Sequence, residues 1–338
     1  MTTPDGWLAD MRGRVDAALA DALGDARECG IVDFPRHLNV GDQAIWLGER
    51  AALAARGVRV VAACDRTNFD RRFRRALGDA PICIHGGGNF GDLYPTHHAL
   101  RERALGELRD RPIVQLAQSI HFASAEGLER TRRLIADHGR VTLVVRDRSS
   151  ERFAREHFEA RVVLCPDMAF GLGPLRRRPA ELPVVRQART DKERMAVDRA
   201  DGTFDWLEPP RDRAQRGRLA LHRAHLALAT GRRESGRRAP WAPGPEALPA
   251  YDRFARWSVA RGLDLLSRGQ VVITDRLHGH ILCVLAGIPH VVLRDRHGKI
   301  RAYWDAWTHA VPTARWASSP AAAAESARAM MPDGKRAP

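Results

Sequence analysis

The chain has 338 residues, 44% of them hydrophobic and 28% charged, which is the balance of a folded globular protein with room for two domains. Its net charge of +14 could suit a nucleic-acid partner, but no nucleic-acid-binding motif is present, and only three of the 55 basic residues are lysines. Neither a signal peptide nor an apolar run of membrane-spanning length is visible, so a cytoplasmic protein without a nucleic-acid partner is expected.

The first half of the chain alternates short apolar strands with amphipathic helices. Strands are predicted at residues 30–34, 58–63, 81–85, 113–117, 141–145 and 161–165. Helices are predicted between them at about residues 42–56, 98–110, 126–138 and 149–157. Strands separated by helices of this length are typical of βαβ units, so a parallel sheet is expected.

A second set of elements follows residues 166–183, a stretch rich in glycine, proline and arginine that is predicted to be a hinge. Strands are predicted at residues 183–188, 270–274 and 290–293, and helices at 251–267 and 279–285. The expected fold class is therefore α/β, with two Rossmann-like domains and a ligand cleft between the carboxyl ends of both sheets. The predicted ranges are 1–168 and 169–315 for the two domains, and 316–338 for a C-terminal helix and tail.

The second domain contains a basic insertion at about residues 208–246. Residues 176–240 hold 17 Arg and Lys residues against 9 Asp and Glu residues, with weak helix signals near residues 218–229. A solvated insertion is the preferred interpretation of this segment. Contact with anionic lipid headgroups or with an acidic acceptor is the alternative.

The cysteines are scattered through apolar runs and show no metal-ligand spacing. They are Cys29, Cys64, Cys83, Cys165 and Cys283. We expect reduced, buried thiols and no metal site.

Polar loops follow successive strands of the first domain. Asn39-Val40-Gly41-Asp42 opens a helix, which Asp42 can cap, and the glycines of His85 to Asp92 can offer their N–H groups to an anion. Arg146-Asp147-Arg148-Ser149 follows another strand, with Ser149 as a predicted helix cap. The candidate site residues in these loops are Asn39, Asp42, Gly87, Gly88, Asn89, Asp92, Gln118, Ser119, His121 and Arg146.

The loop Asp275-Arg276-Leu277-His278-Gly279 carries the strongest chemical signal, because an apolar strand delivers an arginine and a histidine to the start of a helix. The guanidinium fork of Arg276 matches a carboxylate or phosphate, and the helix N-terminus adds partial positive charge. His278 can act as an acid or base near neutral pH. The alternative is an ion pair of Arg276 with Asp275 or Asp167, beside a core histidine.

Taken in order, these loops resemble the polysaccharide pyruvyl transferase family over about residues 30–300. The resemblance is carried by Asn39-x-Gly-Asp42, Gly86-Gly-Gly-Asn-Phe-Gly-Asp92, Gln118-Ser119, Arg146-Asp147-x-x-Ser150, Pro166-Asp167 and Asp275-Arg-Leu-His-Gly279. Arg189-Thr-Asp-Lys-Glu193 is similar to the pattern of the family's exopolysaccharide branch.

The resemblance implies a GT-B-like pair of domains and phosphoenolpyruvate as co-substrate, with no cofactor and no metal required. It places the donor on the second domain and the acceptor on the first. It implies donor contacts from Arg146, Arg276, Leu277, His278 and Gly279. It implies acceptor-side or acid–base roles for Asp42, Asp92, His121 and His278, and substrate contacts from Asn39, Gly87, Gly88, Asn89, Gln118, Ser119 and Arg189.

The expected activity is transfer of a pyruvyl group to two hydroxyls of a sugar in a bacterial surface polysaccharide, forming a ketal and releasing phosphate. A lipid-linked acceptor, with peripheral contact at the inner membrane surface, is left open, as is the oligomeric state. One alternative is a GT-B glycosyltransferase that uses a nucleotide sugar, since both share the fold. Another is a non-catalytic binder of polyanions or membrane surfaces, driven by net charge.

Overall fold

A computed structural model describes residues 4–191, 202–231, 247–296 and 298–331. The last third of the predicted basic insertion and the end of the predicted C-terminal tail lie outside the described residues. Within the described ranges, no helix is both long enough and apolar enough to cross a membrane.

The first sheet has seven parallel strands in the order β2-β1-β3-β5-β6-β7, with β4 paired to β5. Its strands are β1 (Glu28–Val32), β2 (Arg59–Cys64), β3 (Ile82–Ile84), β4 (Gly87–Phe90), β5 (Ile113–Ile120), β6 (Val141–Val145) and β7 (Arg161–Leu164). Its helices are α1 (Pro4–Leu23), α2 (Val40–Ala55), α3 (Arg71–Leu77), α4 (Pro95–Glu107), α5 (Ala125–His138) and α6 (Arg148–His157).

Both faces of this sheet are buried, which is why its strands are continuous apolar runs rather than alternating ones. Along β6, Val144 packs with α1 and α2, whereas Leu143 and Val145 pack on the opposite face with α3 to α6. Side chains of successive strand residues point to opposite faces, so two layers of helices share one sheet.

The second sheet has five parallel strands in the order β12-β11-β10-β8-β9. Its strands are β8 (Leu182–Gln187), β9 (Thr203–Phe204), β10 (Gly269–Thr274), β11 (His290–Leu293) and β12 (Ala314–Ala317). Its helices are α7 (Arg213–Thr230), α8 (Ala247–Ser267), α9 (Leu277–Leu285), α10 (Lys299–Tyr303) and α11 (Pro320–Ala329). A 3₁₀ turn covers Met168–Leu172 and a π turn Trp304–Thr308. The α/β class with two parallel sheets is confirmed.

The start of the predicted hinge is a packed segment rather than a solvated linker. Met168 and Phe170 are fully buried, and the 3₁₀ turn lies against α2. A methyl added at Gly48 of α2 would lie 2.0 Å from the Met168 carbonyl oxygen, so only glycine allows this close approach.

The two halves of the chain also share core. The ring of Tyr251 on α8 stacks on Phe34 of the first half, with centroids 4.0 Å apart. Trp46 on α2 donates a hydrogen bond of 2.9 Å from Nε1 to Asp252 Oδ1 on α8. Because α8 packs on α2, the relative position of the two sheets is set by a buried aromatic cluster.

Three strands, β4, β9 and β12, were not predicted from the sequence. All three are short, at two to four residues, and β12 lies across residues 315 and 316, where a domain was predicted to end. Their sequences, Gly-Gly-Asn-Phe, Thr-Phe and Ala-Arg-Trp-Ala, lack the apolar run that marks the equally short β7 and β11. The five cysteines are buried and unpaired, as predicted.

Candidate active site

A cavity of about 410 Å³ lies where the carboxyl ends of the two sheets meet. Its lining residues are His37, Asn39, Asp42, Gly88, Asn89, Tyr94, His97, Arg146, Arg189, Asp191, Trp206, Leu207, Arg276, Leu277, His278, Asp295, Lys299 and Ile300. Loops from both sheets contribute, which is where parallel α/β folds place their ligands. The volume falls within the range of small-molecule sites.

Arg146 follows β6 and is 3% exposed. Its Nε donates to Ser119 Oγ at 2.9 Å, and its Nη1 donates to Asp167 Oδ2 at 2.7 Å. Ser119 in turn donates to Asp147 Oδ2 at 2.7 Å. Ser119 therefore supports Arg146 and does not line the cavity. The predicted cap of α6 was wrong, because Asp147 accepts the Ser150 N–H and Ser149 only donates to Asp147.

His278 lies in the first turn of α9, with Nε2 at 3.2 Å from the same Asp167 oxygen that Arg146 contacts. Asp167 is fully buried. Burial raises the pKa of this carboxyl, but His278 and Arg146 outweigh that effect and hold the pKa well below its usual range. An ionised Asp167 thus connects an arginine of the first sheet to a histidine of the second.

The His278 ring fits against α2 because residue 41 is glycine. A methyl there would lie 2.4 Å from His278 Nδ1. This contact places His278 beside Asp42, the next residue of α2.

Two cations converge on Gly88. A methyl at Gly88 would lie 3.0 Å from Arg146 Nη2 and 3.9 Å from Lys299 Nζ. Arg146 Nη2 makes no hydrogen bond to a described residue, and Lys299 Nζ is 3.5 Å from the Gly88 carbonyl oxygen. Asp295 holds α10 in place by accepting the N–H groups of Lys299 and Ile300. The space beside Gly88 can therefore hold an anion.

Arg276 is also buried, at 3% exposure, but its hydrogen-bond partners differ from those of Arg146. Its Nε and Nη2 donate to the two oxygens of Asp205 at 2.9 and 2.6 Å, and Nη2 also donates to Asp191 at 3.1 Å. Its Nη1 makes no hydrogen bond to a described residue. The predicted alternative partners, Asp275 and Asp167, were wrong.

Asp275 instead accepts the Arg189 backbone N–H, at 3.0 and 3.2 Å to its two oxygens. Burial raises the pKa of Asp275 to about 6, against the lowering effect of Arg189 and Arg276. The Arg189 side chain lines the cavity and forms a two-point pair with Asp191, at 2.9 and 3.0 Å.

Asn39 and Asp42 line the cavity from the start of α2. Asn39 is the N-cap of α2, with Oδ1 accepting the Gly41 N–H at 3.2 Å, so the predicted capping by Asp42 was wrong. Asn39 Nδ2 donates to Asp42 Oδ2 at 2.9 Å, and His37 Nε2 lies 3.5 Å from that same oxygen. Burial alone would raise the pKa of Asp42, but the nearby His37 and His278 lower it by more. The pKa of Asp42 is therefore below its usual value, so the carboxylate is ionised and can accept a proton.

Asn89 reaches the cavity from β4 and is fixed by a buried arginine. Its Oδ1 accepts from Arg101 Nη2 and Gln118 Nε2, each at 2.8 Å. Gln118 therefore positions Asn89 and is not in the cavity lining. Gly87 has φ of 120° and leaves room beside Asp42, whose Oδ1 would lie 3.5 Å from an added methyl.

A histidine–aspartate pair at this cavity was missed from the sequence. His97 of α4 lines the cavity, with Nδ1 at 2.8 and 3.1 Å from the oxygens of Asp33. Asp33 is buried and has φ of 77°, a left-handed value that no other non-glycine residue of the described chain adopts. The signal that could have found it is Asp33 itself, a carboxylate within the first predicted strand of a parallel sheet.

Three more predicted site residues lie outside the cavity lining, as Ser119, Gln118 and Gly87 do. Asp92 accepts the backbone N–H groups of Ala123 and Ser124, which makes it a loop anchor. The carbonyl oxygen of His121 would lie 1.8 Å from a methyl at Gly91, so His121 contributes packing of its main chain there.

The third is Gly279, where a methyl would lie 1.9 Å from Gln187 Oε1, so this glycine serves the contact between α9 and β8. Among the residues the structure describes, no group of three or more His, Cys, Asp or Glu side chains is arranged to hold a metal ion.

Comparison with known proteins assigns the chain to a family. The family model for polysaccharide pyruvyl transferases matches residues 39–297. The chain belongs to this family. That range contains every residue of the cavity lining except His37, Lys299 and Ile300. Membership supports a transferase that delivers a pyruvyl group to polysaccharide.

Two relatives carry the same activity in their names. Pyruvyl transferase 1 of Schizosaccharomyces pombe is 32% identical over 297 residues, covering 84% of this chain and 70% of the relative. A Bacillus subtilis protein provisionally named as the pyruvyl transferase EpsO is 30% identical over 306 residues, covering 88% and 91%. The crystal structure of a Klebsiella pneumoniae protein of uncharacterised function matches 92% of this chain and 99% of its own, with a TM-score of 0.62 and 16% identity. At that identity the likeness concerns the fold.

Proposed function

We propose that the protein transfers the pyruvyl group of phosphoenolpyruvate to two hydroxyls of one sugar in a bacterial surface polysaccharide or its lipid-linked precursor. The product is a cyclic pyruvate ketal, and phosphate is released. The observation that carries the proposal is the convergence of Arg146 and Lys299 at Gly88, on a cavity that Asp42 also lines. Phosphoenolpyruvate carries two anionic groups, a phosphate and a carboxylate, and this site offers a cation to each of them.

The chemistry requires proton transfers in both directions. A proton added to C3 of the enol makes C2 electrophilic, and one sugar hydroxyl then attacks C2 and loses its proton. The C2–O bond to phosphate breaks, and the second hydroxyl attacks C2 and loses its proton as the ring closes. The site therefore needs one acid, acceptors for hydroxyl protons and cations for the leaving phosphate.

His278 is the proposed acid. Its Nε2 lies 3.2 Å from the ionised Asp167, which Arg146 also contacts, and its ring packs against Gly41, the neighbour of Asp42. A proton donor in this position reaches either C3 or the leaving phosphate.

Asp42 and His97 are the proposed proton acceptors on the sugar side. Asp42 is ionised, and Asp33 orients the His97 imidazole through Nδ1, which directs its other nitrogen toward a ligand. His97 takes the place that Asp92 and His121 held in the expectation from sequence, since neither of those two lines the cavity.

Arg276 is proposed to bind one end of the donor through Nη1. Asp205 and Asp191 fix the guanidinium plane, so binding costs little side-chain entropy. Arg189 and Asn39 flank the site and are proposed to contact substrate.

Thermal unfolding tests the donor before the sugar is known. We expect phosphoenolpyruvate to raise the melting temperature of the wild type, because ligand at 100 times its dissociation constant stabilises by about 2.7 kcal/mol. Lys299→Gln is expected to lose most of that shift. Arg301→Gln is the matched control, since it removes a cation two residues away on α10 that does not line the cavity.

A panel of nucleotide sugars supplies the opposing outcome. A shift with a nucleotide sugar and none with phosphoenolpyruvate would overturn the proposal in favour of a glycosyltransferase. Equal losses in Lys299→Gln and Arg301→Gln would remove the Gly88 space as the donor site.

A further inference from the structure

Helix α7 carries the exposed large hydrophobic side chains of the described residues. They are Leu221 and Leu228, with 55% and 46% of their surface exposed. Seven residues span two helical turns, so both leucines lie on one outer line of the helix. The opposite side of α7 holds the buried Leu219 and Leu226 and packs on α8. The outer line is therefore apolar surface that the described part of the chain leaves exposed.

The charge around this line has one sign. Helix α7 contains no Asp or Glu, and its arginines are Arg213, Arg216, Arg218 and Arg223. At about 100° per residue, Arg213 and Arg218 fall on either side of the leucine line.

We propose that the outer face of α7 docks on the surface of an anionic phospholipid bilayer, with Leu221 and Leu228 entering the headgroup region and the arginines binding lipid phosphates. Leucines flanked by arginines on one helix are the composition of an interfacial helix. A second copy of the chain is the poorer partner, because paired α7 faces would bring arginines of both copies together with no carboxylate on the helix to balance them.

Helix α7 lies next to a segment that borders the active-site cavity. Thr230 at its end accepts a hydrogen bond of 3.4 Å from Arg36, the neighbour of His37. A groove of about 260 Å³ runs between residues 36–38 and α7, and His37 lines both this groove and the active-site cavity. The membrane contact does not depend on the proposed chemistry, but it would present the sugar-side wall to an acceptor held at a bilayer.

Sedimentation with vesicles tests the docking. The full chain is expected to bind phosphatidylcholine vesicles containing about one third phosphatidylglycerol, and not pure phosphatidylcholine vesicles. Binding should be lost in about 1 M salt, where the screening length falls to about 3 Å.

Two surface variants locate the contact. Leu221→Gln with Leu228→Gln, and separately Arg213→Gln with Arg218→Gln, are each expected to weaken binding by roughly tenfold or more. The matched control changes exposed arginines on other helices, Arg152→Gln with Arg328→Gln, and is expected to bind like the wild type.

Three outcomes would overturn the docking: no binding by the wild type, an equal loss in the control, or a wild-type dimer that only the leucine variant dissociates. If the wild type does not bind, or if the control loses as much binding, α7 is not the contact and at most the net charge of the chain acts. Light scattering detects the dimer. Retention of the phosphoenolpyruvate shift in the variants shows an intact fold, so failure of the docking and failure of the proposed activity are separate results.

Discussion

Arg146 and Arg276 reach the same cavity from different sheets, and their surroundings differ in charge. Arg146 contacts one carboxylate, Asp167, which His278 shares. Arg276 contacts two carboxylates, Asp205 and Asp191. Both guanidinium groups are rigid, so rigidity does not distinguish them.

The difference separates two tasks of an anion site. On the Arg146 side, Arg146 and Lys299 bring two cations to Gly88, and Asp167 is the one carboxylate that Arg146 contacts among the described residues. On the Arg276 side, Arg189 and Arg276 face three carboxylates, those of Asp191, Asp205 and Asp275. That side contributes the oriented N–H groups of Arg276 Nη1 rather than net charge.

The shared Asp167 makes His278 the most sensitive residue of the Arg146 side. We expect His278→Ala to lower turnover by about 10²- to 10⁴-fold, because the proposed acid is lost. Turnover is measured as phosphate released from phosphoenolpyruvate with whichever saccharide of a panel supports the wild type. His309→Ala, at an exposed histidine outside the cavity, is the control. An active His278→Ala enzyme would end the assignment of this acid.

The carboxylate-rich side is tested through pH. The pKa of Asp275 in the folded state is about 6, above its ordinary value of 3.8. Between about pH 4 and pH 6 the folded state therefore keeps the proton on Asp275 while the unfolded state loses it. The free energy of unfolding consequently falls as the pH rises through that range. Asp275→Asn keeps an oxygen for the Arg189 N–H and removes the charge. We expect it to raise the free energy of unfolding at pH 7 by up to about 3 kcal/mol and to match the wild type below pH 4.

Urea denaturation at both pH values measures this difference. The exposed Asp305, paired with Arg301 on the surface, supplies a control, since Asp305→Asn should change stability by less than about 1 kcal/mol. A loss of stability in Asp275→Asn at pH 7 would mean that the Asp275 charge supports the two arginines instead.

Much of the fold and part of the site could be predicted from the sequence. The strand–helix alternation gave the class because buried parallel strands are continuous apolar runs. Asn39, Asp42, Gly88, Arg146 and His278 were found because each follows a strand, and parallel strands bring their carboxyl ends to one edge.

Other contributions depend on distances between remote segments. Nothing local distinguishes Asp92, which binds loop amides, from Asp42, which faces the cavity. Likewise Asp205 pairs with Arg276 across 71 residues, and Lys299 reaches Gly88 across 211. These contacts follow from how the two halves pack on α2 and α8, which no short motif encodes.

The two arginines can be separated by conservative substitution. Arg276→Lys keeps one charge but removes the planar guanidinium, which holds both oxygens of Asp205 and leaves Nη1 for the donor, so we expect donor affinity to fall at least about tenfold, or 1.4 kcal/mol. The melting temperature without donor should fall as well. Arg146→Lys should lower donor affinity at least as much. An Arg276→Lys variant that loses stability but keeps its donor dissociation constant would make Arg276 a scaffold only.

The smallest change tests the charged side alone. Gly88→Ala adds a methyl 3.0 Å from Nη2 of the rigid Arg146 guanidinium, and a movement of a few tenths of an ångström relieves that contact, so the fold should lose little stability. The methyl occupies space in which Arg146 and Lys299 are proposed to bind the donor, and we expect affinity for phosphoenolpyruvate to fall by roughly threefold to tenfold. Gly106→Ala, on α4 and with no contact closer than 3.9 Å for its added methyl, is the control. Unchanged affinity in Gly88→Ala would move the donor toward Arg276 and assign the binding charge to the side that is rich in carboxylates.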